Sequence, residues 1–317
     1  MNKKEDMNVV IVGHVDHGKS TLIGKLLADT NSLPKGKLEK VKEKCRRNAR
    51  PFEYAFLLDA LKDEQSQGIT IDIARCFFKT EKRDYIILDA PGHIEFLKNM
   101  ITGAARAEAA ILVIDALEGV KENSKRHGYM LSMLGIKQVV VAINKMDLVN
   151  YDQKVFEKVK NEYLEFLDKL NIKPMKVIPI SAFEGDNVAS KKNNMPWYKG
   201  ETILEALDEF ECEKPKINQA FRMPVQAIYK FTEGGDRRRI VAGTIETGRI
   251  TPNTKVIFYP SKKKSTVKTI ESFPKKENKE ALAGMAVGFT LEEQIYIKRG
   301  EIMAIEGEEQ PNIATRN

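Results

Sequence analysis

The stretch Gly13-His-Val-Asp-His-Gly-Lys-Ser20 stands between an apolar run, Asn8–Gly13, and an amphipathic one, Ser20–Leu27. A G-x-x-x-x-G-K-S sequence between a strand and a helix is typical of a phosphate-binding loop. Its glycines let backbone N–H groups approach a phosphate, and the helix N-terminus favours negative charge there. Lys19 is predicted to neutralise the outer phosphates and the Ser20 hydroxyl to bind Mg²⁺. The predicted phosphate-binding residues in this loop are Gly13, His14, Val15, Asp16, His17, Gly18, Lys19, Ser20 and Thr21.

Around this loop, short apolar runs alternate with longer amphipathic stretches as far as about Phe210. Several runs are continuously apolar, as expected of strands covered on both faces in a parallel sheet. The stretch Asp152–Leu170 carries its apolar residues at helical spacing. This alternation predicts an α/β domain with a mostly parallel sheet over residues 1–212. The predicted strands are Asn8–Gly13, Ile69–Lys79, Tyr85–Asp89, Ala110–Asp115, Gln138–Asn144 and Lys176–Ser181.

The pattern changes at the charged segment Glu211–Gln219. Beyond it, strand-like runs follow one another without intervening helices, and turn signals such as Pro252-Asn253 separate them. This arrangement predicts a small antiparallel β-barrel domain over residues 213–308. Residues 309–317 are expected to be a linker or the truncated start of a third domain. The predicted fold is thus a P-loop α/β domain followed by a β-barrel.

A second motif, Asp89-Ala-Pro-Gly92-His93, follows the apolar run Tyr85–Asp89. By itself, a strand that ends in Asp and Pro-Gly is an ordinary turn. Because it comes two strands after a phosphate loop, we predict that Asp89 holds Mg²⁺ through a water molecule. The Gly92 N–H is predicted to contact the γ-phosphate.

A third pair of motifs decides the base, which the phosphate loop alone cannot do. Asn144-Lys-Met-Asp147 and Ser181-Ala182 each follow an apolar strand. The Asp147 carboxylate can accept two hydrogen bonds from the ring N–H and amine of guanine, whereas adenine offers no matching pair. Sites built on such pairs discriminate by ~10⁴ or more. We therefore predict a guanine site of Asn144, Lys145, Asp147, Ser181 and Ala182, with the Ala182 N–H reaching the guanine carbonyl.

Between the first helix and the second strand lies a long polar stretch, Leu33–Gln67, which ends in Gly68-Ile69-Thr70-Ile71. A segment that responds to the nucleotide needs a hydroxyl that binds Mg²⁺ only while the γ-phosphate is present. Thr70 is the candidate, and its release after hydrolysis would free the segment. The alternative is a buried structural threonine.

Composition narrows the remaining possibilities. The 317 residues carry a net charge of +7 and three cysteines, and no apolar run approaches the ~20 residues of a membrane helix. The N-terminus has no signal-peptide pattern, so a cytoplasmic protein without membrane contact is expected. Basic clusters occur, but no aromatic residues interleave with them, so we expect solvated surfaces and no nucleic-acid partner. These clusters are Arg46, Arg47 and Arg50, Arg237–Arg239, and Lys262–Lys264.

In this order, GHVDHGKST, GITID, DAPGH, NKMD and SA resemble the translation-factor superfamily of GTPases. Within it, the chain looks most similar to the GTPase (large) subunit of bacterial sulfate adenylyltransferase. The stretches that support this resemblance are residues 45–74, residues 91–151, within which KRHGYML at 125–131 is the most similar part, and EGDNVASKKNNMPWYKG at 184–200.

The superfamily resemblance implies GTP or GDP and Mg²⁺ as ligands and a catalytic set of Lys19, Thr70 and His93. His93 would position the attacking water, with Val15 and Ile69 as apolar neighbours. The alternative for His93 is a solvated histidine at a helix start. A monovalent cation beside Asp16 is also compatible with the resemblance.

The closer resemblance implies that GTP hydrolysis drives adenylyl transfer from ATP to sulfate on a small partner subunit. An adenylyl-sulfate kinase fused at the C-terminus occurs in some of these relatives. The alternative is an elongation-factor-type GTPase that delivers aminoacyl-tRNA. A binding switch without catalysis is a third hypothesis.

Overall fold

The computed structural model describes residues 6–58, 74–89, 107–212, 214–230, 238–272 and 278–312. The chain divides into two compact units, Met1–Cys212 and Glu213–Asn317. No helix in the described ranges is long and apolar enough to cross a membrane.

The first unit contains one sheet of six described strands in the order β2-β3-β1-β4-β5-β6. Only β2 runs antiparallel to its neighbour; the other pairs are parallel. The predicted, mostly parallel sheet is therefore confirmed. Its strands are β1 (Asp6–Gly13), β2 (Ala74–Lys79), β3 (Asp84–Asp89), β4 (Ala109–Asp115), β5 (Gln138–Asn144) and β6 (Lys176–Pro179).

Helices cover both faces of this sheet, which explains the continuously apolar strands. Val9 and Ile11 of β1 pack in one hydrophobic cluster, whereas Val10 and Val12 pack in another. The first cluster includes side chains of α1 and α5, and the second includes side chains of α3 and α4. The α-helices with given bounds are α1 (Lys19–Asp29), α2 (Lys37–Arg47), α3 (Glu122–Met133), α4 (Gln153–Asp168) and α5 (Ile203–Glu209), and a short 3-10 helix spans Met146–Val149.

Helix α2 lies in the stretch that the sequence analysis described only as polar. Val41 and Cys45, four residues apart on α2, are buried together with Leu57. Partly buried neighbours from α1 and from residues 52–56 complete this small separate core. Three apolar positions on an otherwise charged helix are too few to dominate a hydropathy pattern. They are nevertheless enough to pack one face of α2 against the neighbouring apolar side chains.

The second unit is antiparallel, and its main sheet has the order β7-β15-β11-β12-β14-β9-β8. β7 pairs with β15 and β8 pairs with β9, although both belong to one run, residues 223–230. The first and last strands of the sheet are thus the same stretch of chain, and the sheet closes. Phe221, Phe258 and Phe289 fill its core.

This closure confirms the predicted β-barrel architecture. The strands are β7 (Met223–Pro224), β8 (Ala227–Lys230), β9 (Arg239–Thr244), β10 (Arg249–Ile250), β11 (Lys255–Tyr259), β12 (Lys263–Glu271), β13 (Ala281–Leu282), β14 (Ala286–Leu291) and β15 (Ile302–Ile305).

Candidate nucleotide-binding site

The loop between β1 and α1 packs closely on the ends of β4 and β5. A Cβ on Gly13 would lie 2.5 Å from the Val113 carbonyl oxygen. Gly18 has φ +90°, and a Cβ there would lie 2.3 Å from the Asn144 amide nitrogen. Glycine is therefore required at both positions by close approach, and at Gly18 by a backbone conformation that other residues rarely adopt.

The Lys19 side chain folds back over this loop. Its Nζ donates to the carbonyl oxygens of Gly13 and His14, both at 2.8 Å. Lys19 is also largely buried, with 8% of its surface exposed. A buried ammonium at the mouth of a helix N-terminus forms an anion site of the kind a phosphate requires.

Asp89 ends β3 at the same edge of the sheet. Its Cα is paired with Ile11, two residues before Gly13, and its side chain is buried. Ligands of parallel sheets bind at this edge, beyond the carboxyl ends of the strands. The other predicted residues that would contact Mg²⁺, the γ-phosphate or water, Thr70, Gly92 and His93, lie outside the described residues, as does Ile69.

Asn144, at the end of β5, joins the phosphate loop to the Ser181-Ala182 turn. Its Nδ2 donates to the His17 carbonyl at 2.9 Å, and its Oδ1 accepts from the Ala182 N–H at 2.9 Å. The residue is 2% exposed. The structure thus gives the Ala182 N–H a protein partner, where the sequence analysis had expected a guanine carbonyl. The Asn144 amide and the Ala182 N–H both need hydrogen-bond partners because they are shielded from water.

The remaining guanine-site residues are arranged around this amide. The Lys145 ammonium lies 2.7 Å from an oxygen of Asp115, the last residue of β4. Ser181 shapes its turn by accepting from the Glu184 N–H at 3.1 Å. The sequence analysis did not single out Asp115. A carboxylate that ends a buried strand beside β5 is the signal that could have found it.

Asp147 carries the most informative atom of the site. Its Oδ1 is buried and has no hydrogen-bond partner within the described part of the chain. A carboxylate oxygen without a partner is costly unless a donor reaches it. Asp147 lines a cavity of about 330 Å³ next to the phosphate loop. The lining residues are Gly18, Thr21, Asn144, Lys145, Asp147, Leu148 and Phe183.

Two of these lining residues, Leu148 and Phe183, were missed by the sequence analysis. They are large apolar side chains with 55% and 54% of their surface exposed. The flat aromatic ring of a bound base could pack against these two side chains and be shielded from water by them. Each directly follows a predicted base-binding motif, and that position is the signal that could have found them.

Two buried imidazoles belong to this region, His17 within the phosphate loop and His127 on α3. Burial, reinforced by the nearby charge of Lys19, lowers the pKa of His127 to about 4. Burial also lowers the pKa of His17, whose Nδ1 lies 3.2 Å from the Val113 carbonyl oxygen. Both rings are therefore neutral at pH 7. Lys19 supplies the positive charge at this loop without competition from a second buried cation.

Two of the predicted Mg²⁺ ligands, Ser20 and Asp89, lie among the described residues. Within the described ranges, no group of three or more His, Cys, Asp or Glu side chains could hold a metal ion. Mg²⁺ commonly takes one or two protein ligands and completes its shell with phosphate oxygens and water. Ser20 at the start of α1 and Asp89 at the end of β3 fit that mode.

Comparison with known proteins gives the family. Residues 4–213 match the Elongation factor Tu GTP binding domain. Elongation factor 1-alpha of Pyrococcus horikoshii is 44% identical over 309 residues, which cover 95% of this chain and 71% of that protein. The protein of the same name from Thermococcus gammatolerans is 45% identical, with the same shares covered. The structure of sup35 complexed with GMPPNP is 27% identical and covers 95% of this chain and 67% of that one, with a TM-score of 0.48.

The chain therefore belongs to the family of the elongation factor Tu GTP binding domain, within the translation-factor GTPases. The closer resemblance to a sulfate adenylyltransferase subunit is wrong, because relatives over 95% of the chain are elongation factor 1-alpha. The expected small adenylyltransferase partner and fused kinase are wrong with it, and the expectation of no nucleic-acid partner is corrected as well. The short motifs misled because they are shared across the translation-factor superfamily and do not distinguish its members.

The low pKa of His127 predicts a pH-dependent stability. The unfolded chain takes up a proton near the ordinary pKa of 6.5, whereas the folded chain does so only near 4. The contribution of His127 is thus complete above pH 6.5 and is lost as the pH falls toward 4. We expect the free energy of unfolding to drop by up to about 1.4 kcal/mol per pH unit for this histidine.

Urea unfolding between pH 7.5 and pH 5 checks this expectation. His127→Gln should show a shallower decline than the unaltered protein, since glutamine does not titrate. Equal slopes for the two proteins would contradict the assignment.

Proposed function

We propose that this chain binds and hydrolyses GTP and that it acts as an elongation-factor-type GTPase that delivers aminoacyl-tRNA. The nucleotide half of this proposal rests on Asp147, which has a buried oxygen without a partner and lines a cavity of about 330 Å³. The similarity to elongation factor 1-alpha over 95% of the chain supports the second half. The chain spans 71% of those relatives.

In this proposal, guanine enters the cavity with its ring N–H and amine directed at Asp147. These two hydrogen bonds to the carboxylate would give its unpartnered oxygen a donor, whereas adenine would leave that oxygen without one. The methylenes of Lys145 and the side chain of Phe183 would cover the ring. Asn144 would contribute by holding the two loops at the right separation rather than by contacting the base.

The phosphates would lie along the loop from Gly13 to Thr21, with Lys19 exchanging its carbonyl partners for phosphate oxygens. Mg²⁺ supplies charge neutralisation between the phosphates when it is bound, and Ser20 and Asp89 are the residues that would hold it. We also propose Thr70 as a further ligand, Gly92 as the γ-phosphate contact and His93 as the residue that orients water. Family membership and the order of motifs support these three roles. A monovalent cation beside Asp16 has only the resemblance behind it.

The proposed division of labour follows the two compact units. Residues 1–212 would form the GTPase domain and residues 213–308 the barrel domain, with 309–317 as a linker or the start of a further domain. The nucleotide site lies wholly within the first unit. The barrel and its basic residues are then available to the tRNA, whose phosphates favour positive charge.

Guanine selection can be tested with Asp147→Asn. The amide replaces one acceptor with a donor, so GDP should bind about 10²- to 10⁴-fold more weakly. Xanthosine diphosphate, which carries a carbonyl in place of the guanine amine, should bind the variant better than GDP does. Isothermal titration with both nucleotides measures the two affinities. Asp168→Asn, on the exposed face of α4, is the matched control and should bind GDP normally; unchanged GDP affinity of Asp147→Asn would overturn the assignment.

Delivery of aminoacyl-tRNA can be tested by ester protection. With GTP bound, the chain should slow spontaneous hydrolysis of the aminoacyl ester several-fold, because a bound acceptor end is shielded from water. With GDP bound, protection should be weaker. The time course of release of a labelled amino acid from tRNA gives the rates. Equal release with and without the GTP-loaded protein would contradict this half of the proposal and leave the nucleotide half intact.

A further inference from the structure

Lys25, on α1, contacts two segments that are far apart in the sequence, one at Tyr54 and one at Gly185. Its Nζ donates to Asp29 Oδ1 at 2.8 Å and to the Tyr54 hydroxyl at 3.4 Å. The same ammonium lies 4.8 Å from the centre of the Tyr54 ring. The side chain is 14% exposed, so a long and normally mobile chain is held in one conformation.

The methylene end of Lys25 packs on the turn that carries part of the base cavity. A Cβ on Gly185 would lie 2.4 Å from Lys25 Cε, and Gly185 has φ +88°. Gly185 closes this turn by donating its N–H to the Ser181 carbonyl at 2.7 Å. Within the turn, Ala182 bonds to Asn144 and Phe183 lines the base cavity. Lys25 thus packs against the Ser181–Gly185 turn, which contributes Phe183 to the cavity.

The other partner of Lys25 belongs to the small core built on α2. The backbone of Tyr54 lies directly on α1, since a Cβ on Gly24 would meet the Tyr54 carbonyl oxygen at 2.0 Å. Tyr54 packs against Val41, Cys45 and Leu57 in that core. The chain runs on from this docked segment, residues 33–58, toward Thr70. In the sequence, this segment therefore lies between α1 and the residue proposed to sense the γ-phosphate.

The surroundings of Lys25 favour its protonated, positively charged form. Burial opposes the charged form, but the bonds to Asp29 and Tyr54 outweigh it and raise the pKa of Lys25. Lys25 thus remains a cation throughout the physiological range. Loss of Tyr54 from α1 would leave the ammonium with Asp29 alone and restore rotamer freedom to the rest of the side chain.

We propose that Lys25 is a positioning residue that couples occupancy of the guanine cavity to docking of residues 33–58 on α1. When the segment is docked, Tyr54 fixes Lys25, and Lys25 holds the Ser181–Gly185 turn against the base. When the segment leaves, the turn loses that support and the nucleotide departs faster. Coupling of two binding events is reciprocal, so a bound guanine nucleotide favours the docked segment. This inference rests on the proposed GTP site.

The test uses Lys25→Met, which keeps an unbranched apolar side chain and removes the ammonium. Dissociation of N-methylanthraniloyl-GDP should accelerate about fivefold to tenfold, the loss expected from one or two hydrogen bonds. Association should change little. Lys25→Arg should restore slow dissociation, because it can still donate to Tyr54 and Asp29. Lys169→Met removes an exposed ion pair of the same i,i+4 spacing, with Glu165 on α4, and should behave like the unaltered protein.

Hydrogen exchange supplies the reciprocal readout. In the unaltered protein, GDP should slow amide exchange in peptides from residues 37–58, which do not line the cavity. In Lys25→Met this protection should be lost while the melting temperature changes little. Should Lys25→Met fail to fold, Tyr54→Phe removes one hydroxyl and tests the same coupling.

The outcomes separate the two proposals. If the unaltered protein binds no GDP, the proposed GTP site fails and this inference fails with it. If it binds GDP, but Lys25→Met and Tyr54→Phe show unchanged dissociation and unchanged protection of residues 37–58, the coupling alone is overturned.

Discussion

The buried amide of Asn144 is the interaction on which the site depends. It donates to the His17 carbonyl and accepts from the Ala182 N–H, so one side chain joins the phosphate loop to the base turn. Both groups would be costly to leave unpaired in a buried setting. The contact also explains Gly18, since any side chain there would collide with the same amide. The separation of the phosphate loop from the Ser181-Ala182 turn is thereby set within the protein.

The other polar residues of the site lie near Asn144, at the carboxyl ends of β4 and β5. Asn144 ends β5, and Asp147, which has an unpartnered oxygen and lines the cavity, follows three residues later; Asp115, at the end of β4, forms an ion pair with Lys145. The turn whose Ala182 N–H donates to Asn144 packs against the Lys25 side chain at Gly185. Lys25 on α1 therefore contacts both the turn that contributes to the cavity and the segment that includes α2.

Much of this was predictable from the sequence because a nucleotide imposes residue types at given positions. The parallel sheet, the barrel and the grouping of Gly18, Lys19, Asn144 and Asp147 followed from motifs and periodicity. Other features did not, because they depend on tertiary contacts without a local pattern: the seating of α2, the ion pair of Asp115, and the support from Lys25. The biological task was assigned wrongly for a related reason. Motifs that contact GTP record the ligand, whereas partners are chosen by surfaces whose residues carry no motif.

The central claim is that the Asn144 joint creates a single site for a guanine nucleotide. Isothermal titration of the unaltered protein with GDP and with ADP, each with Mg²⁺, tests it most directly. The account predicts one GDP per chain and an ADP affinity weaker by about 10⁴-fold or more, since adenine leaves the Asp147 carboxylate unpaired. Comparable affinities for the two nucleotides, or no binding of GDP, would contradict it.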